Sequence, residues 1–260
     1  MNSNHTKHGV ELKTQPEVYA LEGWTLHKYD VVTSTNLVAA SLPAWSAVRA
    51  DTQTNGRGRF QRKWVSDEGG LWLSAVVPVD SVSGAAKTLP LAVGLAVCEA
   101  LANLGVAQIR MRWPNDVLVN ERKLAGLLLD QFSPGLAVAG IGINVSNHPE
   151  TREPSLRTQT TRLADLVPKP PELSELTSLV LQHLRGLVLE LKRAGFESIL
   201  PRLNGYWAAP RQVELDLDGR TVRGSFTGVD QEGRLILENN ARSLIRYESQ
   251  QVRHLQELSF

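Results

Sequence analysis

The sequence predicts an α+β protein, with a strand-rich main domain carrying two helices and a small all-β appendage behind it. Three observations support this. Between residues 45 and 145, apolar strand-forming runs are punctuated by Gly, Pro and Asn/Asp clusters. Leu173, Leu176, Val180, Leu184, Leu187 and Leu191 recur at helical spacing. After Pro210 the pattern changes to short strands with Asp218-Gly219 and Glu232-Gly233 at the turns, which suits an SH3-like barrel. A chain of 260 residues has room for one domain of roughly 200 residues and a small second one.

Residues 1–20 are polar and aperiodic and read as a flexible arm, with folded sequence from about Trp24. The main domain is placed at residues 21–208 and the appendage at 209–260. Trp45–Ala50 and Leu71–Val79 read as strands. Leu89–Leu104 reads as a buried helix ended by Gly105, which tolerates the positive φ of a helix stop. Ile109–Trp113 runs into a turn at Pro114-Asn115-Asp116. Val117–Val119 and Leu124–Asp130 flank the polar connector Asn120-Glu121-Arg122, a hairpin. Leu136–Val145 is a further apolar strand, and Arg152–Pro171 is loop-rich before the long helix closes at Gly195. The appendage strands are Gln212–Leu217, Thr221–Asp230, Arg234–Leu237 and Leu244–Tyr247.

Composition narrows the function. Hydrophobic content of 42%, charged content of 21% and a net charge of +1 describe a soluble globular chain and argue against a broad nucleic-acid or acidic-membrane footprint. No apolar run is long enough to span a membrane, and the N-terminus lacks the pattern of a secretory signal. A cytoplasmic location fits. Cys98, the single cysteine, lies in an apolar helix and reads as core.

Four constellations carry chemistry. Thr54–Trp64 (TNGRGRFQRKW) gathers Arg57, Arg59, Arg62 and Lys63 around Gly56 and Gly58, where backbone amides and guanidiniums can hold phosphate and carboxylate together. An RNA-binding or merely solvated basic loop has the same composition. Trp113-Pro114-Asn115-Asp116 followed by Lys123-Leu124-Ala125-Gly126 brings Asp116 and Lys123 close across the hairpin. That pair suits phosphate handling, with the aspartate free for a metal or an incoming amine, or it is a turn with a surface ion pair. Ser34-Thr35-Asn36 stands at a helix start and is by itself an N-cap pattern. Gly140-Ile141-Gly142-Ile143-Asn144 would let a flat ligand lie against a strand, though close strand packing uses glycine too.

The order Ser-Thr-Asn, Gln53 before GRGR, WPND, KLAG and GIGIN resembles the catalytic domain of biotin–protein ligases over about Tyr29 to Val145. The resemblance implies a mixed β-sheet backed by helices, related to class II aminoacyl-tRNA synthetases, with an SH3-like C-terminal domain. It implies ATP and biotin as substrates with Mg2+, formation of biotinyl-5′-AMP, and transfer to a lysine of the biotin carboxyl carrier domain of acetyl-CoA carboxylase. Ser34, Thr35, Asn36 and Gln53 would line the biotin head-group pocket, and Arg57, Gly58 and Arg59 would fold over the intermediate. Lys123 would contact the biotin carboxylate and the α-phosphate. Arg62, Asn115 and Asn144 would serve the ATP side, and Asp116 the metal or the acceptor. Lys123, Arg59 and Asp116 are thus the catalytic candidates.

One position departs from the family pattern: Gln61 stands where many relatives carry a small residue, often glycine. The motifs begin near Tyr29, too early for the helix-turn-helix domain some members carry, so a monofunctional enzyme, monomeric or homodimeric, is expected. Two rivals remain. A lipoate or octanoate ligase or transferase of the same superfamily would use a similar carrier, and a non-catalytic biotin-sensing regulator would need neither Lys123 nor Asp116. An RNA-binding module would need a wider basic face.

Overall fold

The computed structural model describes residues 15–79 and 85–258. Eight strands form one sheet in the order β1-β2-β3-β4-β8-β7-β6-β5. They are β1 (Glu17–Leu21), β2 (Trp24–Val32), β3 (Ser46–Gln53), β4 (Gly70–Pro78), β5 (Ile109–Arg112), β6 (Asp116–Val119), β7 (Arg122–Ser133) and β8 (Leu136–Asn144). Only β2 and β3 pair in parallel, which makes the sheet mixed. The short α1 (Thr35–Ala39) supplies the connection between them.

Two helices, α2 (Ala85–Asn103) and α3 (Leu173–Ala194), back one face of this sheet. In α3, Leu176, Val180, Leu184 and Leu187 are buried, the stripe that the spacing predicts. Gly195 follows at φ 73°, and Gly105 follows α2 at φ 76°. Cys98 is fully buried in α2, and burial pushes its thiol pKa far above the usual range. A small cluster of Ala39, Val48, Val76 and Val138 fills the other face under α1.

After α4 (Leu200–Gly205) comes a five-stranded antiparallel sheet in the order β12-β11-β10-β9-β13. Its strands are β9 (Arg211–Asp216), β10 (Thr221–Val229), β11 (Leu235–Glu238), β12 (Leu244–Tyr247) and β13 (His254–Glu257). Buried Arg110 holds the two sheets together by pairing with Glu121 of the hairpin turn and Glu257 of β13. Arg211 adds bonds of 3.0 and 3.1 Å to Glu121. Trp113 Nε1 donates to Gly233 O at 3.2 Å.

Several boundaries differ from expectation. Residues 1–14 of the expected arm lie outside the described residues, but Glu17–Leu21 is a strand paired with β2, so folded sequence starts before Trp24. β1 is an edge strand whose residues are nearly all exposed, which removes the alternation that would have marked it. β13 lies beyond the last strand that the pattern predicts. The hairpin turn is shorter than expected: Asn120 and Glu121, at φ 50° and 62°, form a two-residue primed turn, and Arg122 already pairs with Val119. No described helix is long and apolar enough to cross a membrane.

Candidate functional site

A cavity of about 1060 Å3 opens between the main sheet and the appendage. Every site residue named from sequence lines it: Ser34, Thr35, Asn36, Gln53, Arg57, Gly58, Arg59, Arg62, Asn115, Asp116, Lys123 and Asn144. That volume sits at the upper end of what small-ligand sites occupy.

One end is neutral and closed upon itself. Ser34 occupies the N-cap position of α1, yet its side chain makes no cap bond, and Ser34, Thr35 and Asn36 are all buried. The motif is therefore more than a helix start. Gln53 Oε1 accepts the Thr35 backbone N–H at 2.9 Å and lies 3.1 Å from its hydroxyl. Gln53 Nε2 donates to Ser66 Oγ at 2.9 Å. Ser74 Oγ lies 2.7 Å from Thr35 Oγ1 and 2.6 Å from Asn36 Oδ1, and Asn36 Nδ2 donates to Asp130 at 2.7 Å. A Cβ at Gly140 would stand 2.5 Å from Asn36 Oδ1, so this strand position must be glycine for Asn36 to lie there.

The flat group lying against the GIGIN strand is the protein's own Trp64. A Cβ at Gly142 would meet its indole nitrogen at 2.6 Å. Lys123 Nζ stands 5.0 Å over that ring.

At the other end charge dominates. The basic run folds as a small hairpin, with Arg57 bridged to Lys63, Gly58 N donating to Arg62 O at 2.7 Å and Trp64 N to Gly56 O at 2.9 Å. Phe60 and Gln61 form its tip at φ 54° and 59°, in the left-handed region. This is why a small residue suits position 61: a side chain is strained there. Arg57 Nη1 donates to Gln61 Oε1 at 3.4 Å. Arg59 Nη2 donates to Ser249 O at 2.6 Å and Val252 O at 3.3 Å, tying the loop to the appendage. Arg62 and Lys63 are exposed.

Lys123 Nζ contacts one Asp116 carboxylate oxygen at 2.6 Å, and Arg112 Nη2 contacts the other at 2.6 Å. Burial alone would raise the Asp116 pKa, but the two cations and their hydrogen bonds outweigh it and hold the carboxyl below the usual range. The lysine backbone is fixed as well, through Gln159 O at 2.8 Å and the Thr161 N–H at 2.9 Å. Both Asp116 oxygens are thus engaged by cations. Among the described residues no group of three metal-binding side chains occurs, so these residues do not fit a protein-held magnesium cage.

Two other candidates are already bonded to protein. Asn115 Nδ2 donates to Leu127 O at 2.8 Å. Asn144 donates to Thr161 O at 3.1 Å and accepts from Asn147 at 3.0 Å, which occupies both ends of its amide.

Sequence reasoning missed Ser74, Asp130, Arg112 and the appendage wall formed by Val252, Arg253 and His254. Burial, then the Arg62 and Arg112 charges, lower the pKa of the His254 imidazole that lines this wall. Ser74 carried a signal, being the only hydroxyl in LWLSAVVPV. The appendage wall had none, because its nearness is purely tertiary.

Residues 29–146 match the biotin/lipoate A/B protein ligase family, and residues 211–251 match the biotin protein ligase C terminal domain. The chain is 32% identical over 243 residues to a biotin–[acetyl-CoA-carboxylase] ligase of Mycobacterium tuberculosis, covering 86% of this chain and 87% of the relative. It is 31% identical over 216 residues to the enzyme of the same name from Paracoccus denitrificans, covering 76% and 85%. Its fold superposes with a TM-score of 0.78 on a biotin protein ligase from Aquifex aeolicus in complex with biotin and ATP, at 27% identity, covering 90% of this chain and 99% of the other. With both of its sheets matched and these two relatives covered over most of their length, the chain belongs to the biotin protein ligases of the biotin/lipoate A/B protein ligase family.

Proposed function

We propose that this protein activates biotin with ATP to biotinyl-5′-AMP and transfers the biotinyl group to a lysine of the biotin carboxyl carrier domain of acetyl-CoA carboxylase. The observation that carries the residue-level reading is the asymmetry of the cavity. A hydrogen-bond network of hydroxyls and amides, with a carboxylate only behind it at Asp130, stands at one end, and Lys123 with Arg57, Arg59, Arg62 and Arg112 at the other. Such a site holds an uncharged polar ring at one end and joins a carboxylate to a phosphate at the other.

In the first step a biotin carboxylate oxygen bonds to the α-phosphorus of ATP while the bond to pyrophosphate breaks. Lys123, aimed by Asp116, stabilises the charge on the phosphate oxygens. Arg57 and Arg59 reach the same region from the loop, and Thr35, Gln53 and their partners hold the ring. In the second step the carrier amine attacks the acyl carbon, the anhydride C–O bond breaks, AMP leaves, and the amine loses its proton. The loop shields the anhydride from water until then. Magnesium, if bound with ATP, would supply positive charge against the developing negative charge, and no residue here is assigned to hold it. Asp116 acts as the positioning residue for Lys123.

Incubation with biotin, magnesium and α-labelled ATP, without carrier, tests the reading. A retained biotinyl-adenylate that does not form with lipoate supports it. Adenylate formed only with lipoate moves the substrate to the other branch of the family, and none with either acid leaves a binding protein.

A further inference from the structure

The hydrogen-bond chain at the neutral end has a direction, and one residue sets it. A carboxylate only accepts, so the Asn36 atom facing Asp130 at 2.7 Å is the amide nitrogen. Asn36 Oδ1 therefore faces Ser74, 2.6 Å away. A carbonyl also only accepts, which directs the single Ser74 proton at Asn36. Ser74 then has nothing to donate to Thr35 Oγ1, 2.7 Å away, and the Thr35 proton must go to Ser74 or to Gln53 Oε1. Either way the Thr35 hydroxyl turns lone pairs, and no proton, toward the cavity. Gln53 is fixed in the matching sense, its oxygen taking the Thr35 N–H and its amide nitrogen bonded to Ser66.

We propose that Asp130 is the positioning residue that sets the polarity of the head-group pocket. Through Asn36 and Ser74 it makes Thr35 an acceptor for a ring N–H of the ligand. The inference rests on the head-group reading of Thr35 given above. Asp130 touches no reacting atom: it lies on β7, half-buried, on the far side of Asn36. Replacing its carboxylate by an amide lets the Asn36 amide turn over. Ser74 then receives a proton from Asn36 and passes its own to Thr35, which fills one Thr35 lone pair and leaves the Thr35 proton only Gln53 Oε1 or the ligand's N–H to face, so the pocket is a poorer acceptor.

The test compares Asp130→Asn, Asn36→Asp and the two together. In Asp130→Asn the KM for biotin should rise about three- to tenfold, as when one hydrogen bond is mismatched, with the KM for ATP within about twofold. In the double variant the two groups exchange roles. The carboxylate introduced at position 36 accepts both from Ser74 and from the amide introduced at position 130. That restores the original direction, and the biotin KM should return toward wild type. Asn36→Asp alone sets two carboxylates face to face and should be the weakest binder. Thermal melting separates polarity from folding: the double variant should recover affinity whether or not it recovers Tm. An unchanged biotin KM in Asp130→Asn, or a double variant no better than its worse parent, would overturn the proposal. Thr35→Val measured alongside locates the fault: unchanged biotin affinity there removes the head-group reading itself, and the proposal with it.

Discussion

At one end of the cavity, Ser34, Thr35, Asn36 and Ser74 are buried, and the last three are hydrogen-bonded into a single network. At the other, Arg62 and Lys63 are exposed on a loop, and the charged groups that are fixed, Asp116, Lys123 and Arg112, hold one another. The ends solve different problems. A neutral ring can be recognised only by donors and acceptors already facing the right way, so that end is rigid and desolvated before the ligand arrives. A phosphate brings its own charge and is stabilised by cations that gather around it, so that end can be open and shared between domains. A preset hydrogen-bond network serves the choice of acid, and converging charge serves the reaction.

Four substitutions probe this division, in descending order of effect. Lys123→Ala removes the cation aimed at the phosphate and should slow adenylate formation roughly 100- to 1000-fold, read by biotin-dependent pyrophosphate exchange. Biotin binding should be much less affected; an equal loss of both would erase the distinction between the ends. Arg59→Gly removes the guanidinium that ties the loop to Ser249 and Val252. It should release adenylate about tenfold faster or more and label bystander lysines, because closure no longer retains the anhydride. Unchanged target selectivity would count against the lid role.

Asp116→Asn should cost about tenfold in adenylate formation, through a misplaced Lys123 and not through lost contact with substrate. Its pH signature has a definite sign. The folded pKa lies below the ordinary 3.8, so the carboxylate's contribution to stability is fully present above that value and is lost as pH falls through the folded pKa. Unfolding curves of wild type and variant should therefore differ by a constant amount across neutral pH and converge in acid. The smallest effect belongs to Gln61→Gly. Relief of the left-handed strain is offset by greater chain entropy, and stability should change by less than about 1 kcal/mol. A large loss of activity there would mean that the Gln61 contact with Arg57 matters more than the loop's backbone.

Much of this was legible in the sequence, for identifiable reasons. The α3 stripe and the β6–β7 hairpin followed from periodicity and turn chemistry, and the closeness of Asp116 and Lys123 followed from the hairpin. The neutral end was half legible. Ser34, Thr35, Asn36 and Gln53 stood out as a motif, but Asp130 reads as the polar end of an apolar strand until the fold sets it beside Asn36, 94 positions earlier in the chain. β1 escaped because an exposed edge strand carries no alternation. The loop's attachment to the appendage escaped because Arg59 and Ser249 are 190 positions apart and the acceptors are backbone carbonyls, which leave no mark in side-chain patterns.

The most direct test is a crystal structure with a non-hydrolysable biotinyl-adenylate analogue. The account predicts the ureido ring within hydrogen-bond distance of Thr35 and Gln53, and the phosphate within reach of Lys123 Nζ and the Arg57–Arg59 loop. A ring seated among the arginines, with the phosphate beside Asn36, would contradict it.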